Sequence, residues 1–289
     1  MSPATCIPQR LPAVEVQDVV HQTLSPTTDV LFVYGGPDAS AVAEALTRNA
    51  PFFRGYQAAY ETDWQVGMAV VTEEGTTLTV DPGTGEPSVL ESQALDYDAG
   101  MPGLDVIDWA LQPAQGFRRP GAALHVLIVA DADDTSALDV DMFLGGLTTG
   151  TGRIDARISG VLPGDTAVYR ELVYATGGDT WAPGADWPVV MDALGLAATG
   201  LERAFPPTTW PDADTLFVQL SALDRYDDRY RNVIDFERAV YDGDGNLLNE
   251  RPVRTWDLDV AQNSVRFLRF VPEPGSQVIV RYDPRDASP

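Results

Sequence analysis

Two short runs, "VLFVY" at residues 30–34 and "ALHVLIV" at residues 123–129, are apolar at nearly every position. A strand with one wet face alternates polar and apolar side chains, whereas a strand without alternation has both faces covered. Two such strands far apart in the sequence call for a parallel sheet, with helices packed on each side. The intervening segments supply those covers. Residues 39–60 place Val42, Leu46, Phe52, Phe53 and Tyr56 at helical or near-helical steps. Residues 64–72 ("WQVGMAVVT") predict a second strand, and residues 76–80, with their threonines, an edge strand. A Gly/Pro/Asp-rich loop follows over residues 81–103.

Past the loop the alternation continues. Helices are predicted over residues 104–115, 135–147, 169–176 and 186–201, with a strand over 153–162. Gly177-Gly178 ends the third of these helices, and Asp186 stands where an N-cap of the fourth belongs. The expected fold class is α/β: a Rossmann-like, doubly wound, mostly parallel sheet. Beyond Phe205-Pro206-Pro207 the texture changes to short alternating segments separated by turns. "YDGDGNLL" from Tyr241 reads as a hairpin, with Gly243 and Gly245 supplying positive φ. Residues 1–28 read as an arm or edge strand, 29–203 as the α/β domain, and 204–289 as a small antiparallel, β-sandwich-like domain.

Charge narrows the function. Forty-three acidic residues against nineteen basic ones give −24, which repels a phosphate backbone and argues against nucleic-acid binding. Every basic residue other than the two histidines is arginine. No stretch approaches the ~18 apolar residues of a membrane span, and residues 1–12 ("MSPATCIPQRLP") lack the basic-then-apolar order of a signal peptide. Cys6 is the single cysteine, so neither an internal disulfide nor a cysteine metal cluster can form.

The candidate site residues lie where α/β sheets place ligands, in the loops after the strands. "YGGPDAS" follows the first strand: Gly35 and Gly36 bend the chain, and Pro37 and Asp38 start the helix. "ADADDT" follows the central strand. Asp131, Asp133 and Asp134 read as a solvated loop in which Asp134 or Thr135 caps the next helix, or as a weak calcium loop, since calcium accepts irregular shells of ~6–8 oxygens. A pair of catalytic acids acting on a carbohydrate is a remote alternative. "DGDGN" at 242–246 lacks the downstream Glu and flanking helices of an EF-hand. His125, in an apolar strand, reads as a core residue. There is no G-x-S-x-G and no G-x-G-x-x-G, so no enzyme activity is expected.

Five segments in order, "NAPFF" (49–53), "VGMAVVTEEG" (66–75), "FRRPGAALHVLIVADADD" (117–134), "YRELVYATGGD" (169–179) and the tail "NSVRFLRFVPEPGSQVIVRYDP" (263–284), carry a resemblance over nearly the whole chain. It resembles the von Willebrand factor A-like proteins, in the form found in secreted or lipid-anchored proteins of myxobacteria. That resemblance implies a protein-binding or adhesion function and a site holding Mg²⁺ through an Asp and two Ser, a Thr, and a second Asp. Here Gly35 stands at the first Asp position, Pro37 and Ala39 at the two Ser positions, and "DYDAGMPGL" from Asp96 offers no Thr. Asp131 alone survives, and one carboxylate cannot organise Mg²⁺. The expectation is a degenerate metal site and no cofactor. Partners would be other proteins, with contact through Gly35, Gly36, Asp38, Asp131, Asp133 and Asp134. An extracellular, cell-surface or exported-particle location follows from the resemblance. A structural subunit that self-assembles into a virion, injection device or surface layer is the alternative function.

Overall fold

The structure, a computed structural model, describes residues 15–35, 39–72, 75–81, 101–148, 154, 156–223, 230–260, 263–268 and 270–285. Its contacts divide the chain into two compact units, Ser25–Gly200 and a second that joins Leu201–Pro289 to the N-terminal residues up to Leu24. The first element, β1 (Val16–His21), belongs to the second unit and is taken up with it.

In the unit Ser25–Gly200 the order is β2 (Thr27–Tyr34), α1 (Ala39–Tyr60), β3 (Asp63–Thr72), β4 (Gly75–Asp81), α2 (Gly103–Leu111), β5 (Ala123–Val129), α3 (Val140–Leu147), β6 (Arg157–Val161), α4 (Ala167–Thr176), β7 (Thr180–Trp181) and α5 (Trp187–Ala198). The strands form one sheet in the order β4-β3-β2-β5-β6-β7. All neighbours are parallel except β4, which runs antiparallel to β3 at one edge. Successive residues on β2 feed opposite cores, and residues two apart feed the same one, as the strand period requires. Val30, Phe32 and Tyr34 join Leu46 and Phe53 of α1 and Val190 and Leu194 of α5. Leu31 and Val33 join Leu104 and Ile107 of α2, Phe143 of α3 and Leu172 of α4. The sheet is doubly wound, and the absence of alternation in β2 and β5 follows from it.

Several element bounds differ from the sequence expectation, each for a local reason. The helix expected over 104–115 stops at Leu111, and Pro113–Gln115 forms a 3₁₀ turn because Pro113 has no N–H to continue the ladder. The helix expected from residue 135 starts only at Val140, since residues 136–138 are held by side chains of Asp134 and Asp105. Asp186 occupies the N-cap position of α5, but its side chain makes no capping bond.

At the amino end of β2, Asp29 is fully buried. Its Oδ1 accepts from Arg119 Nε at 2.6 Å, and its Oδ2 accepts from the Arg119 backbone N at 2.7 Å and Arg118 Nη1 at 3.1 Å. Arg119 also reaches Asp63 Oδ2 at 2.9 Å and the carbonyl of Thr28 at 2.8 Å. One carboxylate thereby ties β2 to the turn before β5 and to the start of β3.

The second unit contains β1, β8 (Ala204–Phe205), β9 (Phe217–Leu223), β10 (Tyr230–Arg238), β11 (Thr255–Asp259), β12 (Ser264–Phe267) and β13 (Gln277–Tyr282). Instead of a purely antiparallel pair of sheets they make one hydrogen-bonded row, β1-β13-β9-β10-β11-β12-β8. β10 joins the two halves, pairing antiparallel with β9 over most of its length and parallel with β11 at Glu237 and Arg238. Residues 16–21, read from sequence as leading into the α/β domain, pair with β13 instead. Asp18 fastens them, accepting from Tyr282 Oη at 2.8 Å and from Thr208 N and Oγ1 at 2.9 Å. In the hairpin after β10 only Gly245 has positive φ, at 82°. Gly243 does not need it, because Asp242 Oδ1 accepts from the backbone N of both Asp244 and Asn246 and closes the turn.

Replacing Arg119 by Ala leaves the Asp29 carboxylate buried with one guanidinium fewer, and should cost about 3–5 kcal/mol of unfolding free energy. Arg48→Ala, which breaks an exposed pair with Glu44 on α1, should cost under about 0.5 kcal/mol. Urea denaturation of both variants measures the contrast.

Candidate functional site

In an open α/β sheet the ligand crevice lies outside the carboxyl ends of the strands, where successive connections leave in opposite directions. Here that point falls between β2 and β5, which are neighbours in the sheet although β3 and β4 follow β2 on one side and β6 and β7 follow β5 on the other. The loops after Tyr34 and Val129 bound it. Gly36 and Asp38, expected to contribute, lie outside the described residues, as do residues 96–100.

Gly35 is buried at the end of β2. A Cβ added there would lie 2.9 Å from Val71 Cβ, 3.4 Å from the Val71 carbonyl and 3.6 Å from Met101 Sδ. Neither the Val71 backbone nor its branched Cβ can step aside, so this position takes no side chain without displacing β3. The glycine serves packing as well as the turn.

The acids after β5 divide by environment. Asp131 is exposed and makes no hydrogen bond to another described residue. Asp133 turns to α4, whose own N-cap residue, Thr166, offers no capping bond because its hydroxyl donates to the carbonyl of Pro163. Asp133 Oδ2 accepts from Ala167 N at 2.8 Å, and Oδ1 accepts from Val168 N at 3.1 Å and from Asp134 N at 3.0 Å. Asp134 turns to α2, which begins after Pro102 and likewise has no cap of its own. Asp134 Oδ1 accepts from Leu104 N at 3.3 Å and from Ser136 Oγ at 2.9 Å, while Oδ2 accepts from Ser136 N at 3.2 Å. Asp134 therefore caps a helix that precedes it by thirty residues, not the next one.

Residues that the sequence reading did not single out complete this arrangement. Asp105 on α2 receives Ala137 N at 2.9 Å and Leu138 N at 3.1 Å, and its own N donates to Ser136 Oγ at 3.0 Å. Asp139 caps α3 through Met142 N at 2.8 Å. Tyr169 on α4 donates its hydroxyl to the Met101 carbonyl at 2.8 Å, and that carbonyl also accepts from Thr135 N at 3.3 Å. Burial first, and then the neighbouring Asp134 charge, push the Tyr169 phenol far above its ordinary range, so it remains a donor. Gly103 makes room for it: a Cβ at that position would sit 2.5 Å from the Tyr169 oxygen. Of these, Asp139 alone lies close in sequence to the N–H it caps, but the helix expected over 135–147 put it in the helix interior.

The loop after β5 thus ties together the N-termini of α2, α3 and α4, where unpaired N–H groups and the helix dipole favour negative charge. Chemically it offers Asp131, exposed at the switch point and without a hydrogen bond to another described residue. Among the described residues no group of three or more His, Cys, Asp or Glu side chains could hold a metal ion. His125 lies away from this end of the sheet, in register with Val30 on β2 and Arg157 on β6. Burial, and then the Arg157 charge, push its imidazole down to about 3, so it is neutral near pH 7.

Asp133→Ala and Asp134→Ala should each lower the unfolding free energy by about 1–2 kcal/mol through a lost helix cap. Asp131→Ala, an exposed change, should stay within about 0.5 kcal/mol. Chemical denaturation of the three single variants separates the capping acids from the exposed one.

No protein family matches the chain by its sequence profile, and no curated protein matches it. Solved structures to which it is similar include a von Willebrand factor type A protein from Catenulispora acidiphila, at 10% identity and a TM-score of 0.46, covering 94% of this chain and 66% of that one. Proximal thread matrix protein 1 from the mussel byssus aligns at 10% identity and 0.43, covering 61% of this chain and 48% of that one. The VWA domain of SpRpn10 aligns at 12% identity and 0.41, covering 58% and 94%. The chain spans about two thirds of the first of these and about half of the second. Its α/β architecture rests on the strand order and register described above.

Proposed function

We propose that this protein is a non-enzymatic protein-binding module, an adhesion or scaffold unit that recognises its partner without a metal ion. The observation that carries this reading is the commitment of the Asp133 and Asp134 carboxylates to helix N–H groups. A divalent cation would have to compete with α2 and α4 for those oxygens. The filled space around Gly35 supports the same reading, because no donor side chain fits where the resembled family carries its first Asp. The contact surface is the carboxyl end of the sheet, with Asp131, Ala132 and Thr135 exposed to a partner. Shape and hydrogen bonding, rather than metal charge, set its specificity. An extracellular or cell-surface location belongs to the same proposal.

Titration calorimetry with Mg²⁺, Mn²⁺ and Ca²⁺ is expected to show no one-to-one binding. Stoichiometric Mg²⁺ binding that disappears in Asp131→Ala would overturn the proposal. Gly35→Asp is expected to destabilise the protein by about 1–3 kcal/mol through overpacking against Val71, with no gain of metal binding in the same calorimetric assay.

A further inference from the structure

His125 is the one imidazole in the α/β unit, and its place in the sheet is unusual. Leu127 and Val129 of the same strand face the core under α1 and α5, so the two-residue period puts His125 on that face. It is 7% exposed, and its Nδ1 is buried with no hydrogen-bond partner among the described residues. On one side its register neighbour is the apolar Val30, and on the other it is Arg157. Arg157 is itself ion-paired with Asp179 at 3.3 Å. The other titratable groups on the two helices of that face are Glu44, Arg48, Arg54, Tyr56 and Tyr60 of α1 and Asp192 of α5, whose carboxylate accepts from the Tyr56 hydroxyl. The core side of β5 therefore offers the imidazole an arginine as its nearest charge and no acceptor for a proton on Nδ1.

We propose that His125, with Arg157 beside it, is an acid-sensitive latch that releases the β6–β7 edge of the sheet when the imidazole takes a proton. An imidazolium here would be a second cation in a buried place, with no partner among the described residues for the proton on Nδ1. It escapes by local opening, and the side that yields is the weaker one. β2 is in register with β3 over eight residues and with β5 over seven, whereas β6 holds β5 over five residues and β7 over two. The linkage has a definite sign. Because the folded protein holds the imidazole below its ordinary value of 6.5, at about 3, the closed edge is fully stabilised above pH 6.5. It loses that stabilisation progressively as pH falls toward 3.

Amide hydrogen exchange, corrected for the intrinsic pH dependence, tests this on the full chain at pH 7.5 and 4.5. In the wild type the opening of β6 and β7 amides should rise by up to about 100-fold, the ratio set by a two-unit drop below 6.5. In His125→Leu the rise should shrink to a few-fold. An acid response of the same size in His125→Leu, or one spread evenly over β2, β3 and β6, would overturn the latch. Should His125→Leu not fold, Arg157→Met serves: removing the neighbouring charge raises the closed-state value of the imidazole toward 6.5, so the loss of protection should level off at a higher pH and its total size should shrink. An unchanged or larger total loss would overturn the proposal.

Discussion

The α/β unit hangs on a carboxylate that has no contact with water. Asp29 sits at the start of the most deeply buried strand, and a bare charge there would unfold the sheet from its base. Arg119 answers it twice, through guanidinium and backbone N–H, and Arg118 adds a third bond. Because the same arginine grips Asp63 and the Thr28 carbonyl, the amino ends of β3, β2 and β5 share one anchor. The registers of these three strands are continuous from that point upward. Desolvation offsets much of the Coulomb gain of a buried pair of this kind, so removing one partner costs far more than the pair contributes in net stability. Sliding either neighbour by one residue would strand the charge.

At the opposite end of the sheet, acids are again held, but by helix ends instead of arginines. α2 follows a proline and α4 follows a threonine whose hydroxyl is turned elsewhere. Neither segment caps itself. Asp134 and Asp133, adjacent in sequence, cap one each. The result joins the loop after β5 to helices that lie on either side of it in the chain. In this class of fold the carboxyl ends of the strands usually remain free to bind a ligand. Here two of the three acids are already occupied by the protein's own N–H groups, and Asp131 stands apart from them.

Much of the fold was legible in the sequence because its cause is local. Residues 39–60 and 123–129 were read with the bounds the structure shows, since a strong apolar period does not depend on distant contacts. Misreadings cluster where a distant group intervenes. The helix expected from residue 135 is delayed to Val140 by the side chains of Asp134 and Asp105. The segment 1–28 was read as an arm or edge strand, and β1 does stand at an edge, but its partner there, β13, lies more than 250 residues on. The parallel contact of β10 with β11 leaves no mark in either strand's alternation.

The same division holds for the site. Sequence alone determined that Gly35 carries no donor, that Asp131 has few companions, and that the central strands are covered on both faces. Those statements concern residue identity and periodicity, which folding cannot alter. Tertiary structure decided what the remaining acids do. Whether Asp133 and Asp134 face a ligand or a helix depends on where residues 104 and 167–168 arrive in space, about thirty positions away along the chain. It also decided that His125 would stand beside Arg157, because only the parallel register of β5 and β6 brings them level. Local chemistry writes the elements, and long-range packing assigns each charged group its partner.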